Sequence, residues 1–213
     1  MNKTSVQDKL ASSLDRRDEA PNVELAKVIA GAKDTGAVKE LVDLLSGKKK
    51  DLQADSIKVL YEIGAIDPAL IAPYAQTFIG LLTHPNNRLQ WGAMTALSSI
   101  VGEVPDAIHA ALGTIVAAAD AGSVITKDHC VNILVALGSM ERYAADAFAL
   151  LNEQLLRAPV NQLPTYAEKT LPLVNDENWP TFLQTLTLRL PDVETESKRK
   201  RLEKVIRKGT GKK

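Results

Sequence analysis

Residues 37 positions apart repeat their chemistry, and this period constrains the chain more than any other feature of it. The apolar triad Ile57, Leu60, Ile63 becomes Met94, Leu97, Ile100 and then Val131, Leu134, Leu137. The stretch ahead of each triad keeps the same register. Val38, Leu41, Val42 and Leu45 map onto Ala75, Phe78, Ile79 and Leu82, then onto Leu112, Ile115, Val116 and Ala119. Within each copy the apolar spacing is 3 and 4, which is the period of an amphipathic helix, so each unit reads as two helices. The pattern predicts helices over 37–46 with 51–64, 69–83 with 87–101, 106–120 with 125–138, and 142–157 with 164–171. Turn formers mark the joints at Gly47, at His84-Pro85-Asn86-Asn87 and at Ala121-Gly122-Ser123. Pro68 and Pro105 are in register and suit a first helical turn, with Asp67 as a cap before the first. A polar helix over 5–15 and another after Pro21, carrying Leu25, Val28 and Ile29, are expected to cap the first repeat. Pro172 must stop or kink the fourth second helix, and Trp179-Pro180 opens a last one containing Phe182, Leu183 and Leu186.

Composition narrows the function classes. Lys plus Arg and Asp plus Glu both total 26, so no global field draws the chain to nucleic acid or to an anionic membrane. The first twenty residues hold no apolar core, and no run of about eighteen apolar residues occurs, so neither secretion nor a membrane span is expected. The single Cys130 cannot form an internal disulfide, which suits a reducing, cytoplasmic location. Cys130 maps onto Ser56 and Ala93, both small core positions, and reads as a small buried hydrophobe. His84, His109 and His129 are scattered, and there is no Gly-rich phosphate loop, His-Glu-x-x-His or nucleophile elbow. No catalytic residue, metal or cofactor is therefore assigned.

The segment LLTHPNNRLQWGAMTALSSI, from Leu81, resembles the second half of a HEAT repeat: a Leu pair, a Pro turn, then spaced Ala and Ala-Leu. Leu81, Leu82, Pro85, Leu89, Ala93, Ala96 and Leu97 hold those places, and Leu52, Ser56, Val59 and Leu60 answer in the copy before. The resemblance to the HEAT/armadillo-like family implies an all-α fold, a right-handed α-solenoid of about four to five two-helix repeats. It also implies partner binding on the concave face built by the second helices. The corresponding organisation is one domain over 1–213, with capping helices at 1–33, repeats over 34–175, C-terminal capping helices over 176–208 and a basic tail at 209–213. The chain departs from the family at the position of its inter-repeat Arg ladder, which here holds Gln53, Gln90 and Lys127. A Gln ladder would still hydrogen-bond between neighbouring helices.

A helical wheel puts Ile57, Leu60 and Ile63 on the buried side and positions 51, 54, 55, 58 and 62 opposite. The equivalents of that second face include Arg88, Trp91, Gly92 and Thr95, then Asp128, His129 and Asn132, then Thr165, Tyr166 and Lys169. An indole among charges and small residues has the makings of a binding hot spot, so Arg88, Trp91, Thr95, Asp128, His129 and Tyr166 form the candidate partner site. The competing reading packs Trp91 between helices. Asp128 and His129 are adjacent on a helix and point about 100° apart, which does not suit a base pair for catalysis.

The sharpest charge feature is the end of the chain. From Lys198 onward nine bases face one acid, giving +8, so residues 1–197 carry −8. Lys198, Arg199, Lys200, Arg201, Lys204, Arg207 and Lys208 read either as the solvated face of a capping helix docked by Leu202, Val205 and Ile206, or as a nucleic-acid arm. The leading function is a non-catalytic scaffold or adaptor for a protein or peptide. Nucleic-acid binding by the tail is the alternative. A HEAT-like DNA glycosylase for alkylated bases, using Trp91 and Asp128, is a remote third that the acidic body disfavours.

Overall fold

The computed structural model describes residues 5–210, and among them every regular element is helical. The chain divides into two compact units, Met1–Cys130 and Val131–Lys213. In the first, α1 (Ala20–Ala32) precedes the pairs α2 (Thr35–Leu45) with α3 (Lys50–Ile66) and α4 (Ala75–Leu81) with α5 (Asn87–Ile100). Then come α6 (Pro105–Ala110), α7 (Leu112–Ala121) and α8 (Val124–Gly138), within which the unit boundary falls. The second unit continues with α9 (Ala144–Arg157), α10 (Leu163–Thr170), α11 (Trp179–Arg189) and α12 (Glu196–Thr210).

The 37-residue register becomes packing. Ile57, Leu60, Ile63, Met94, Leu97, Ile100, Val131, Leu134 and Leu137 are all fully buried. In the first unit the second helices stack side by side, α1 on α3 and α3 on α5, while α2 and α4 lie against the helices they precede. The α3–α5 crossing is close because two glycines make room. A Cβ on Gly92 would stand 2.6 Å from Ile57 Cγ1, and one on Gly64 would collide with Ser99 Oγ of α5 and stand 2.6 Å from Ile71 Cδ1. Gly138, two periods after Gly64, repeats this role in the second unit, where a Cβ would meet Leu173 Cδ1 at 2.7 Å. In that unit α10 packs on α9 and α12, and α11 on α9 and α12.

Several boundaries differ from expectation. The expected helix over 5–15 is two 3-10 turns, Gln7–Lys9 and Ala11–Leu14, and Val28 is 64% exposed instead of packing into the cap. The helix expected over 69–83 is two 3-10 turns followed by α4, and the one over 106–120 is broken between α6 and α7. Pro73 accounts for the first break, since it lacks the N–H a continuing helix needs. The second has no proline, yet α7 starts at Leu112, 37 residues after α4 starts at Ala75, so the kink belongs to the repeat. Asp67 makes no side-chain cap; Asp34 caps α2 by accepting from Ala37 N at 3.0 Å, and Asn86 caps α5 by accepting from Arg88 N at 2.9 Å. Both lie where an N-cap leaves donors to satisfy. Of the expected basic tail over 209–213, residues 211–213 lie outside the described residues.

The Gln positions hydrogen-bond to the neighbouring helix of their own pair or to the turn that follows it, closing its end. Gln53 Nε2 donates to Leu45 O at 2.9 Å and Gly47 O at 3.0 Å, and Gln90 Nε2 donates to His84 O at 2.8 Å. Lys127 Nζ reaches Ala119 O at 2.6 Å, Gly122 O at 2.9 Å and Asp120 O at 3.1 Å. Each side chain therefore satisfies carbonyls at the end of the first helix of its own pair or in the turn that follows it.

Candidate functional site

The second helices of the first unit carry one cluster of aromatic and charged side chains. Lys58, Tyr61 and Glu62 share a face of α3 by i, i+3, i+4 spacing, and Arg88 and Trp91 share a face of α5 in the same way. The close α3–α5 crossing brings them together: the Tyr61 and Trp91 rings lie 5.8 Å apart, tilted by 48°. Each ring also has a cation beside it. Arg88 Cζ stands 5.0 Å from the Trp91 ring centre and Lys58 Nζ stands 4.9 Å from that of Tyr61.

Glu19, just ahead of α1, ties the two cations together. Its Oε1 meets Arg88 Nη2 at 2.5 Å and its Oε2 meets Lys58 Nζ at 3.0 Å, while Glu62 Oε1 holds Lys58 from the other side at 2.7 Å. The hydrogen bond from Arg88 keeps the Glu19 carboxyl below the usual carboxylate range, against burial, with Lys58 adding to the same effect. Burial alone would lower the Lys58 pKa, but Glu62, Tyr61 and Glu19 together raise it above the ordinary lysine value. Burial also raises the Tyr61 hydroxyl, partly offset by Lys58. The two rings remain half-buried, so the cluster is a fixed surface feature with every charge compensated. Trp91 packs against a neighbouring helix and still meets solvent.

Among the other candidate residues, Thr95 is half-buried and donates its hydroxyl to Trp91 O at 2.8 Å. Asp128 and His129 are half-buried on α8. Tyr166, in the second unit, is only 2% exposed and so leaves the candidate surface; the face opposite the core stripe of a second helix is partly covered by neighbouring helices, which a single-helix wheel omits. Gly92 is buried for the same reason. Lys58, Tyr61, Glu62 and Glu19 were not among the candidates. Tyr61 and Glu62 follow Lys58 at helical spacing, a signal within α3, but nothing in the sequence ties Glu19 to either helix.

The basic end of the second unit is a docked helix. In α12, Leu202 and Val205 are buried and Ile206 is half-buried. Arg201 grips Glu168 with two bonds, Nε to Oε1 at 2.9 Å and Nη2 to Oε2 at 2.6 Å, and reaches Thr165 Oγ1 at 3.0 Å. That grip, ahead of an opposing effect of burial, lowers the Glu168 pKa, with Lys204 and Lys208 contributing charge. Lys198 donates to Asn161 Oδ1 at 2.5 Å, Arg199 to Val193 O at 3.0 Å, and Lys200 pairs with Glu196 at 2.6 Å. Among the described residues no group of His, Cys, Asp or Glu has metal-site geometry, and no helix is long and apolar enough to cross a membrane. Cys130 is buried, and burial pushes its thiol up to about 12.

Comparison with solved structures fixes the class. An engineered protein matches with a TM-score of 0.62 at 18% identity, over 96% of this chain and 97% of that one. A designed armadillo repeat protein in complex with the peptide (KR)4 matches with a TM-score of 0.65 at 16% identity, over 86% and 85%. An archaeal HEAT-like repeats protein from Thermococcus onnurineus matches with a TM-score of 0.52 at 16% identity, over 99% and 98%. No family model matches the sequence, and no curated protein matches it. The chain therefore has the all-α, HEAT/armadillo-like helical-repeat fold.

Proposed function

We propose that this chain is a non-catalytic binding scaffold that takes a protein or peptide partner on the second-helix face of its first unit, with Trp91 and Tyr61 as the anchor. The observation that carries this reading is the half-buried ring pair whose flanking cations are pinned by Glu19 and Glu62. Rigid aromatic area loses little entropy when it is covered, and interface hot spots are rich in Trp, Tyr and Arg. Thr95, Asp128 and His129 complete the surface. The complex of a structurally similar designed armadillo protein with a peptide supports a peptide-like partner. A cytoplasmic location fits the single buried thiol.

Two observations weigh against the rival readings. The Trp91 ring is already engaged by Arg88 and Tyr61, which speaks against its use in holding an extruded base. Four of the tail's cations are bonded inside the chain, which speaks against a free phosphate-binding arm.

The test is selection of peptides against the intact chain, followed by measurement of the best binder with Trp91→Ala. The variant is expected to lose about 2 kcal/mol of binding, roughly thirtyfold in Kd, while its helical circular dichroism is retained. Replacing Trp179 with Phe lets Trp91 emission report directly, and it should shift blue on binding. Unchanged affinity in the alanine variant, with no emission shift, removes the anchor role.

A further inference from the structure

We propose that the second unit carries a separate binding site, a cleft that accepts a lysine- or arginine-bearing peptide segment. The cleft, about 670 Å³, lies among the end of α8 at Gly138, the first three turns of α9 and the segment leading into α11. Its apolar lining is Phe148 and Leu173 with the small side chains of Ala144, Ala145 and Ala149, and its acids are Glu141, Glu153 and Glu177. None of the lining side chains is basic. Glu153 has only a loose contact with Arg157, at 3.9 Å, and Glu141 and Glu177 pair with no described residue. Asn152 also lines the cleft, with Oδ1 buried and no hydrogen-bond donor supplied to it.

Part of this pattern has a local cause. Glu141 and Glu177 stand just ahead of the first turns of α9 and α11, where a helix dipole favours a carboxylate. That cause does not extend to Glu153, which is in the third turn of α9, nor to the open volume, nor to the orphaned Asn152 oxygen. The carboxylates and the open volume match one kind of occupant. Lysine and arginine side chains bury an aliphatic stem on apolar surface while the charged head stays at a polar edge. Here the stem covers Phe148, Leu173 and the alanines, and the head reaches the carboxylates. The volume exceeds one side chain, leaving room for the peptide backbone beside it. The site shares no residue with the Trp91 cluster and does not depend on the function proposed for it.

A fluorescein-labelled (KR)4 octapeptide titrated against the full chain by anisotropy tests the proposal. Replacing Glu141, Glu153 and Glu177 with Gln together is expected to weaken binding about tenfold. A control triple at exposed acids of the first unit, Asp8→Asn, Glu24→Gln and Glu103→Gln, removes the same charge and is expected to change Kd less than twofold. Ala149→Leu fills the cleft from an exposed helix position and should weaken binding with every carboxylate in place. A peptide with cationic side chains cut to one methylene should bind several-fold more weakly, since its stems cannot cover the floor. Equal weakening by the control triple, full binding to Ala149→Leu, or full binding of the short-stem peptide each overturns the proposal.

Discussion

The two units close their first helices by different means. In the first unit Gln53, Gln90 and Lys127, evenly spaced at 37 residues, each reach back five to eight residues to carbonyls at the end of the helix before them or in the turn that follows it. In the second, the same register arrives at Pro164, which has no donor. The end of α9 is closed instead by Arg189, from the last turn of α11: Nη1 donates to Leu155 O at 2.8 Å and Leu156 O at 2.5 Å, and Nη2 to Ala158 O at 3.0 Å. The repeat preserves a task, not a residue. Buried carbonyls need partners whichever side chain supplies them, and when the local donor is lost the task passes to the next pair, which ties α9 to α11. The first unit is closed pair by pair, whereas the second is closed across pairs.

This difference can be broken experimentally, and the largest effect is expected from truncation of residues 198–213. That cut strips Leu202, Val205 and the Arg201–Glu168 grip from α10 and α11, and each buried aliphatic side chain accounts for roughly 1.5–3 kcal/mol. Hydrogen exchange should accelerate in α9–α11 and the chain should begin to self-associate, while α2–α5 stay protected. An unchanged melt with an unchanged oligomeric state would show that α12 is an arm and not part of the packed unit.

Arg189→Ala should come next, at about 2–3 kcal/mol, since it leaves three carbonyls without a charged donor that is itself 12% exposed. Because the bonds cross from one pair to the next, both α9 and α11 should lose exchange protection. Fraying confined to the last turn of α9 would refute the coupling. Gln53→Ala should cost about 1 kcal/mol and should loosen only the end of α2. Lys127→Gln sharpens the point, because Gln already performs this task at 53 and 90 and should leave thermal stability nearly unchanged.

The smallest effect concerns Glu19 and Glu168, one acid in each unit with a lowered pKa. A carboxylate whose folded pKa is depressed adds stability that is fully present above its ordinary value and is lost as pH falls through the depressed one. Both side chains are more than a third exposed, so solvent screening keeps each contribution below about 1 kcal/mol. Acid titration followed by NMR should detach Glu19 from Arg88 and Lys58, and Glu168 from Arg201, below the usual carboxylate range. A Glu19 titrating at the ordinary value would mean that Arg88 and Lys58 do not hold it in solution.

What the sequence determined by itself is whatever a single helix records. The 3 and 4 spacing of Ile57, Leu60 and Ile63 and its 37-residue translation specify two-helix repeats and most of their core, because an apolar stripe must be buried wherever the chain goes. The small position of Cys130 and the apolar edge of α12 were legible on the same ground. Tertiary structure alone decided what lies across helices. A wheel drawn for one helix has no neighbours, so it placed Tyr166 and Gly92 in solvent, whereas stacking buries them. It found Trp91 but not Tyr61, thirty residues away in sequence and 5.8 Å away in space, because their meeting depends on the approach Gly92 permits. Glu19 and Arg189 are the clearest cases. Each is an unremarkable charged residue in sequence, and each holds its place only because a packed neighbour presents an otherwise unsatisfied partner at hydrogen-bonding distance.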